Sequence, residues 1–261
     1  MKVASTALPT KRKKIKEKIL KGRFFMFSYY GSKTNVVHCY PKPKHDKIIE
    51  PFAGSARYSL RWFEKDVLLI DKYETVIRIW KWLQQCSPQD ILKLPRLKKV
   101  DNLNEITFDC EEAKLLMGFL IARGSATPRV TPSARATTER PKYLNTALNR
   151  IAKSLFKIKH WEIKQGCYTD LKNETATWFI DPPYQNGGEA YKHGNKNIDF
   201  VELGEWCKSR NGQIIVCETT EADWLPFKAM KNNAGSRYET TEAIWSNEKT
   251  AYDNTQNILQ F

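Results

Sequence analysis

Val67-Leu68-Leu69-Ile70 is an unbroken apolar run that stops on Asp71 and is followed by Val76, Ile77, Trp80 and Leu83 at helical spacing. A strand with one wet face alternates apolar and polar residues, so a continuous run needs cover on both faces, which a parallel sheet flanked by helices provides. The same order recurs on either side. Residues 47–50 carry Ile48 and Ile49, Pro51 breaks the run, and after Gly54 residues 55–65 suit a helix, giving strand, tight turn, helix. Residues 161–164, 177–180 and 214–217 are further strand candidates, and 257–261 could close the sheet. The alternation predicts an α/β fold on a parallel sheet, with Trp80 in its core and Trp82 on the flank.

Between residues 87 and 150 the alternation lapses. A helical stretch near Leu115 to Ile121 is followed by a segment rich in Thr, Ser, Pro and Arg, and nothing there resembles a strand. This reads as a small, mainly helical insertion. From 123 to 150 the positive residues Arg123, Arg129, Arg135, Arg140, Lys142 and Arg150 face a single acid, Glu139. Hydroxyls interleaved with arginines suit phosphates and guanine edges, and a solvated surface loop would show the same composition. The whole chain, with 43 Lys+Arg against 29 Asp+Glu and a formal charge of +14, favours a polyanionic partner such as nucleic acid. Residues 1–23, with their basic block at 11–16, read as a flexible arm. The six cysteines form no C-x-x-C pair, and the histidines lie at no zinc-ligand spacing, so reduced thiols and no metal are expected. No run is long enough to cross a bilayer and the first residues lack a secretory pattern, which predicts an intracellular protein.

Asp181-Pro182-Pro183-Tyr184 follows directly on the apolar strand 177–180. In an open α/β sheet, ligands gather at the carboxyl ends of strands. The two prolines remove backbone donors and stiffen the chain, leaving carbonyl acceptors beside the Asp181 carboxylate. An exocyclic amino group on a base is a poor nucleophile because its lone pair is delocalised into the ring. Accepting its two N–H bonds at the Asp181 side chain and the Pro182 carbonyl would free that lone pair, a positioning and electrostatic role. Tyr184 offers a face for base stacking. The same tripeptide can also simply end a strand. Glycines at 187, 188 and 194 allow the following loop to move, with Tyr191 then lining a pocket and His193 a phosphate contact or a bystander.

The order of an aromatic-Gly-Lys segment (Tyr29-Tyr30-Gly31-Ser32-Lys33), a Pro51-Phe52-Ala53-Gly54-Ser55-Ala56 loop, a long insertion and Asp181-Pro182-Pro183-Tyr184 resembles the Dam-like, alpha-group DNA adenine-N6 methyltransferases. The likeness spans roughly residues 27–227 and implies a Rossmann-like sheet with S-adenosylmethionine as cofactor. It implies cofactor contacts from Tyr29, Lys33, Phe52, Ala53, Gly54, Ser55, Asp71, Tyr168, Asp170 and Asp181. Asp71 would accept from the ribose hydroxyls, although locally it reads equally as a helix N-cap. Ala56 stands where the family has a second glycine. The implied organisation is a catalytic domain in two parts, 24–86 and 151–261, around a target-recognition insertion at 87–150. Arg123, Arg129, Arg135, Arg140, Lys142 and Tyr191 would then meet duplex DNA, with the target base flipped out of the stack. Asp181, where cytosine-N4 enzymes commonly have serine, favours adenine. A cytosine-N4 enzyme, an RNA guanine methyltransferase and an inactive DNA-binding homologue are the alternatives.

Overall fold

The computed structural model describes residues 25–97, 102–132, 140–232 and 241–253. Among the described residues seven strands form one sheet: β1 (Lys47–Glu50), β2 (Asp66–Asp71), β3 (Glu162–Gln165), β4 (Ala176–Ile180), β5 (Gly212–Thr219), β6 (Lys228–Asn232) and β7 (Thr241–Ser246), in the order β3-β2-β1-β4-β5-β7-β6. The first five run parallel, with Ile48 beside both Val67 and Thr177. β7 lies antiparallel to β5 and to β6. The order from β3 to β5 is that of a doubly wound sheet, and its switch point falls between β1 and β4.

The helices are α1 (Arg57–Arg61), α2 (Glu74–Gln85), α3 (Pro88–Leu92), α4 (Glu111–Ala122), α5 (Arg140–Ser154) and α6 (Phe200–Lys208). Alternate residues of each inner strand serve opposite faces. Ile48, Leu69, Phe179 and Ile215 join Ile77, Trp80, Phe119 and Leu148 in one core. Ile49, Leu68, Trp178 and Val216 join Leu203 and Cys207 of α6 on the other face. All five residues of β4 are buried, which is why its sequence does not alternate. Trp80 is fully buried and Trp82 half-buried, on the flank.

Three differences from the sequence reading have local causes. α1 has five residues where a helix over 55–65 was expected. Ala56 before it is left-handed, which keeps Ser55 out of the helix, and the Asp66 amide must already reach the Asp46 carbonyl at 2.9 Å to start β2. The hairpin of β6 and β7 widens the sheet beyond β5, whereas the expected closing strand at 257–261 lies outside the described residues. The described part of 87–150 consists of helices and irregular loops, with no strand among its described residues. Its helices share the core of the sheet: Leu116, Phe119, Leu120 and Ile151 are fully buried in the same cluster as Ile48 and Leu69.

None of the described helices is long and apolar enough to cross a membrane. All six cysteines are unbridged.

The loop after α4 lies on Gly118, whose carbonyl accepts from the Arg129 amide at 3.3 Å. A Cβ at Gly118 would fall 2.7 Å from Pro128 Cβ and 2.9 Å from the Arg129 carbonyl oxygen. Gly118→Ala is therefore expected to destabilise the fold by about 1–3 kcal/mol as the loop is pushed off the helix, read as a lower urea midpoint. An unchanged midpoint would mean that the loop does not rest on α4.

Candidate active site

The carboxyl ends of β1, β2 and β4 open into a cleft lined by segments far apart in the chain: Tyr29 to Lys33, Glu50 to Arg57, Asp71 to Tyr73, Gly166 to Tyr168, Asp181, Pro183, and Tyr191 with His193 and Gly194. The loop after β1 is held by its backbone. Ala53 N donates to Ile70 O at 2.9 Å, Gly54 N to Asp71 Oδ2 at 2.9 Å, and Trp80 Nε1 to Gly54 O at 2.9 Å. Gly54 takes φ 44°, and a Cβ there would meet the Tyr29 ring at 3.1 Å. Ala56 also takes a left-handed conformation, φ 45° and ψ 47°. The glycine that the resemblance puts at this position would adopt it without strain, whereas alanine bears about 1–2 kcal/mol.

Asp71 accepts from two backbone amides, Gly54 at Oδ2 and Tyr73 at Oδ1, the latter at 2.8 Å. Burial raises its carboxyl to about 6 against those two hydrogen bonds. It thus pins the β1 loop to the start of α2, while each oxygen keeps a lone pair for a hydroxyl. Across the cleft wall Phe52 and Tyr168 lie 5.6 Å apart between ring centres, inclined at 33°. Ser55 Oγ, 5% exposed, donates to Ser32 Oγ at 3.0 Å.

At the other end Asp181 forms an ion pair with Lys33, Nζ to Oδ1 2.7 Å, and Lys33 also donates to Gly31 O at 3.2 Å. The same ammonium lies 4.6 Å from the centre of the Tyr184 ring and 3.8 Å from Glu242 Oε1. Burial moves the Asp181 carboxyl up to about 6; Lys33 opposes that rise and Glu242 adds to it. Lys33 is held above the usual lysine range, because Asp181 and Glu242 outweigh its own desolvation.

Several expected roles change on this geometry. Lys33 lines the cleft, but its charged end is committed to Asp181. Tyr184 gives its hydroxyl to Glu242 Oε1 at 2.6 Å, has the Lys33 ammonium over its ring, and is not among the lining residues. Pro182 is buried away from the cleft, whereas Pro183 lines it. Asp170 is exposed and accepts from Cys167 N at 2.9 Å, closing a turn outside the cleft. Tyr191 lies in the wall, 5.9 Å from Tyr29 and 5.1 Å from Tyr30, with its hydroxyl donating to Tyr30 O at 3.3 Å. His193 lines the mouth, and burial with Lys72 and Lys192 nearby lowers its pKa. Arg123 is half-buried with its guanidinium 4.4 Å from the Tyr143 ring centre, and Arg129 is exposed. Arg135 lies outside the described residues. Arg140 and Lys142 fall in the first turn of α5.

The sequence reading did not single out Glu50, Arg57 or Glu242. Glu50 ends β1, is 2% exposed, and accepts from Ser59 N at 2.6 Å. Arg57, 7% exposed, donates to Ser32 Oγ at 2.8 Å and to Phe27 O at 3.2 Å, tying the N-terminal segment to α1. Glu242 accepts from both Tyr184 and Tyr40, the latter at 2.5 Å. The signal for Glu50 was its place at the end of a strand before Pro51. No comparable signal marks Glu242, whose place follows from the pairing of β7 with β5.

No family model matches the chain, and no curated protein matches it. Among solved structures 28 chains match, one being "Putative methyltransferase yhhF from Escherichia coli", with 10% identity over 91% of this chain and 86% of that chain and a TM-score of 0.36. A likeness at that TM-score carries no argument about the chemistry of this chain.

Burial pushes Glu50 up to about 8, above its ordinary 4.5. A raised folded value means that the stability contribution is complete below about 4.5 and is lost as pH rises through about 8. Glu50→Gln keeps an acceptor for Ser59 N and has no charge to bury. Its urea midpoint is expected to decline less than that of the wild type between pH 5 and pH 9; parallel declines would show that Glu50 is not a source of the pH dependence.

Proposed function

We propose that the chain is an S-adenosylmethionine-dependent methyltransferase that acts on the exocyclic amino group of a DNA base, adenine N6 in the first instance. The observation that carries this reading is convergence. Tyr29 to Lys33, the 51–56 loop, Asp71, Tyr168 and Asp181 are distant in sequence and line one cleft at the switch point of the sheet, where open α/β sheets bind ligands.

The residues present fit the cofactor. The inclined Phe52 and Tyr168 rings suit an adenine, Asp71 has lone pairs for ribose hydroxyls, and Ala53, Gly54 and Ser55 allow close approach of an amino-acid end. When bound, S-adenosylmethionine supplies an electrophilic methyl group, its carbon–sulfur bonding pair returning to sulfur. Asp181 accepts an N–H of the substrate amino group, which localises the nitrogen lone pair for the new carbon–nitrogen bond. The extra proton on the methylated nitrogen then leaves to solvent.

Duplex DNA as partner is supported by the formal charge of +14 and by the placing of the basic loop. Ser125 O accepts from Tyr30 N at 3.2 Å, which sets that part of the loop beside a residue lining the cleft, and Arg129 in the same loop is exposed. An amino group inside a duplex is out of reach of Asp181, so the base must be extruded.

The test is transfer of labelled methyl to duplex DNA followed by nucleoside analysis. The wild type is expected to label N6-methyl-2′-deoxyadenosine, and Asp181→Ala to lower the rate about 10²–10³-fold, the usual loss of a preorganised polar contact. Because the ionised Asp181 is a much stronger acceptor than the protonated acid and its carboxyl lies at about 6, the rate should fall as pH drops through that value. Label on cytosine or on RNA alone overturns the substrate; no label with any nucleic acid overturns the reading.

A further inference from the structure

The principal contact of Lys33 coincides with the one that the proposed reaction assigns to its substrate. An exocyclic amino group must donate to Asp181. The Lys33 ammonium already makes that contact, at 2.7 Å from Asp181 Oδ1, and lies 4.6 Å from the centre of the Tyr184 ring. Its third neighbour is an acceptor of the same kind as Asp181, since Glu242 Oε1 lies 3.8 Å from Nζ. An ammonium on a four-carbon stem can rotate between two carboxylates this close.

We propose that Lys33 is an internal stand-in for the substrate amino group, yielding Asp181 to the incoming base and turning to Glu242, which makes Glu242 the positioning residue that governs release of the acceptor. The inference rests on the methyltransferase reading and extends it to a residue on the last described strand.

Each contact has a part in this exchange. Glu242 accepts from Tyr40 and Tyr184 at its Oε1, so the carboxylate stays in one place while Lys33 moves. The groups facing Lys33 are Asp181 at the end of β4, Glu242 on β7, Cys217 on β5, and Tyr191 and Tyr184 on the loop after β4. Asp181 faces Lys33 and Glu242. Lys33 is thus the single cation among these groups. Its attraction favours the ionised form of Asp181 and Glu242 opposes it, so moving the ammonium toward Glu242 hands the stabilisation of Asp181 to the substrate N–H.

Glu242→Gln separates charge from packing, because glutamine keeps an acceptor for both tyrosines. Methyl transfer to genomic DNA lacking N6-methyladenine is followed against DNA concentration and pH, and S-adenosylmethionine binding is measured by calorimetry. With one carboxylate left, Lys33 stays on Asp181. The half-saturating DNA concentration is expected to rise about tenfold, the size of one hydrogen bond to a charged group, with cofactor affinity within about twofold and the acid limb of the rate shifted to lower pH. Lys33→Met should move that limb up, and adding Glu242→Gln should bring it back. A Glu242→Gln protein with unchanged DNA dependence overturns the proposal. So does one in which DNA and cofactor binding weaken together, which marks general loosening. In both cases an active wild type leaves the methyltransferase reading standing, whereas a wild type inactive on every nucleic acid removes that reading and this inference with it.

Discussion

The ion pair between Lys33 and Asp181 joins two parts of the chain that no strand pairing connects. Asp181 is fixed at the end of β4, the strand at the centre of the sheet, while Lys33 comes from the segment before β1. Withdrawing both charges from water costs several kcal/mol, and their attraction offsets this only with good geometry. Further contacts hold that geometry: Arg57 on Phe27 O and Ser32, Tyr40 on Glu242, and the Lys44 amide on Gln213. The N-terminal segment is thereby fastened to β5 and β7 as well as to α1. A buried pair of this kind is weak evidence for stability and better understood as fixing where a segment sits.

Two carboxylates with similar burial and similar raised values, each about 6, are held in opposite ways. Asp71 is gripped by two backbone amides, of the β1 loop and of the start of α2, so its position is part of the scaffold. Asp181 is gripped by the end of a long side chain, which can let go. The first arrangement suits recognition of a group that is always presented alike, and the second suits an acceptor that must change partner during a cycle. The same residue type therefore has two mechanical characters in one cleft, set by what donates to it.

The parallel part of the sheet was legible because burial on both faces leaves a mark in the sequence: 67–70, 177–180 and 214–217 are apolar without alternation. The β6–β7 hairpin was not, since Met230, Ala243 and Ile244 sit among polar and charged residues and their burial depends on β5 being already in place. In the cleft, residues next to a strand end or a glycine turn were visible as candidates. Their partners were not. Nothing in the sequence places Glu242 beside Tyr184, and without that contact Tyr184 reads as a free stacking surface and Lys33 as a cofactor ligand. The basic segment 123–150 showed its charge but not that α5, which begins within it, would be built into the main core.

The order in which the cleft is completed follows from the chain position of Glu242. The 51–56 loop, Asp71 and Asp181 are all synthesised before β7, which adds the carboxylate on which Tyr40 and Tyr184 converge. A ribosome-bound chain can therefore form the end of the cleft around Asp71 early, while the contacts of Glu242 at the Asp181 end are added only once β7 has left the exit tunnel. An incomplete chain would pair its five parallel strands and hold Asp181 against Lys33 before Glu242 arrives, so that end of the cleft gains its second carboxylate last.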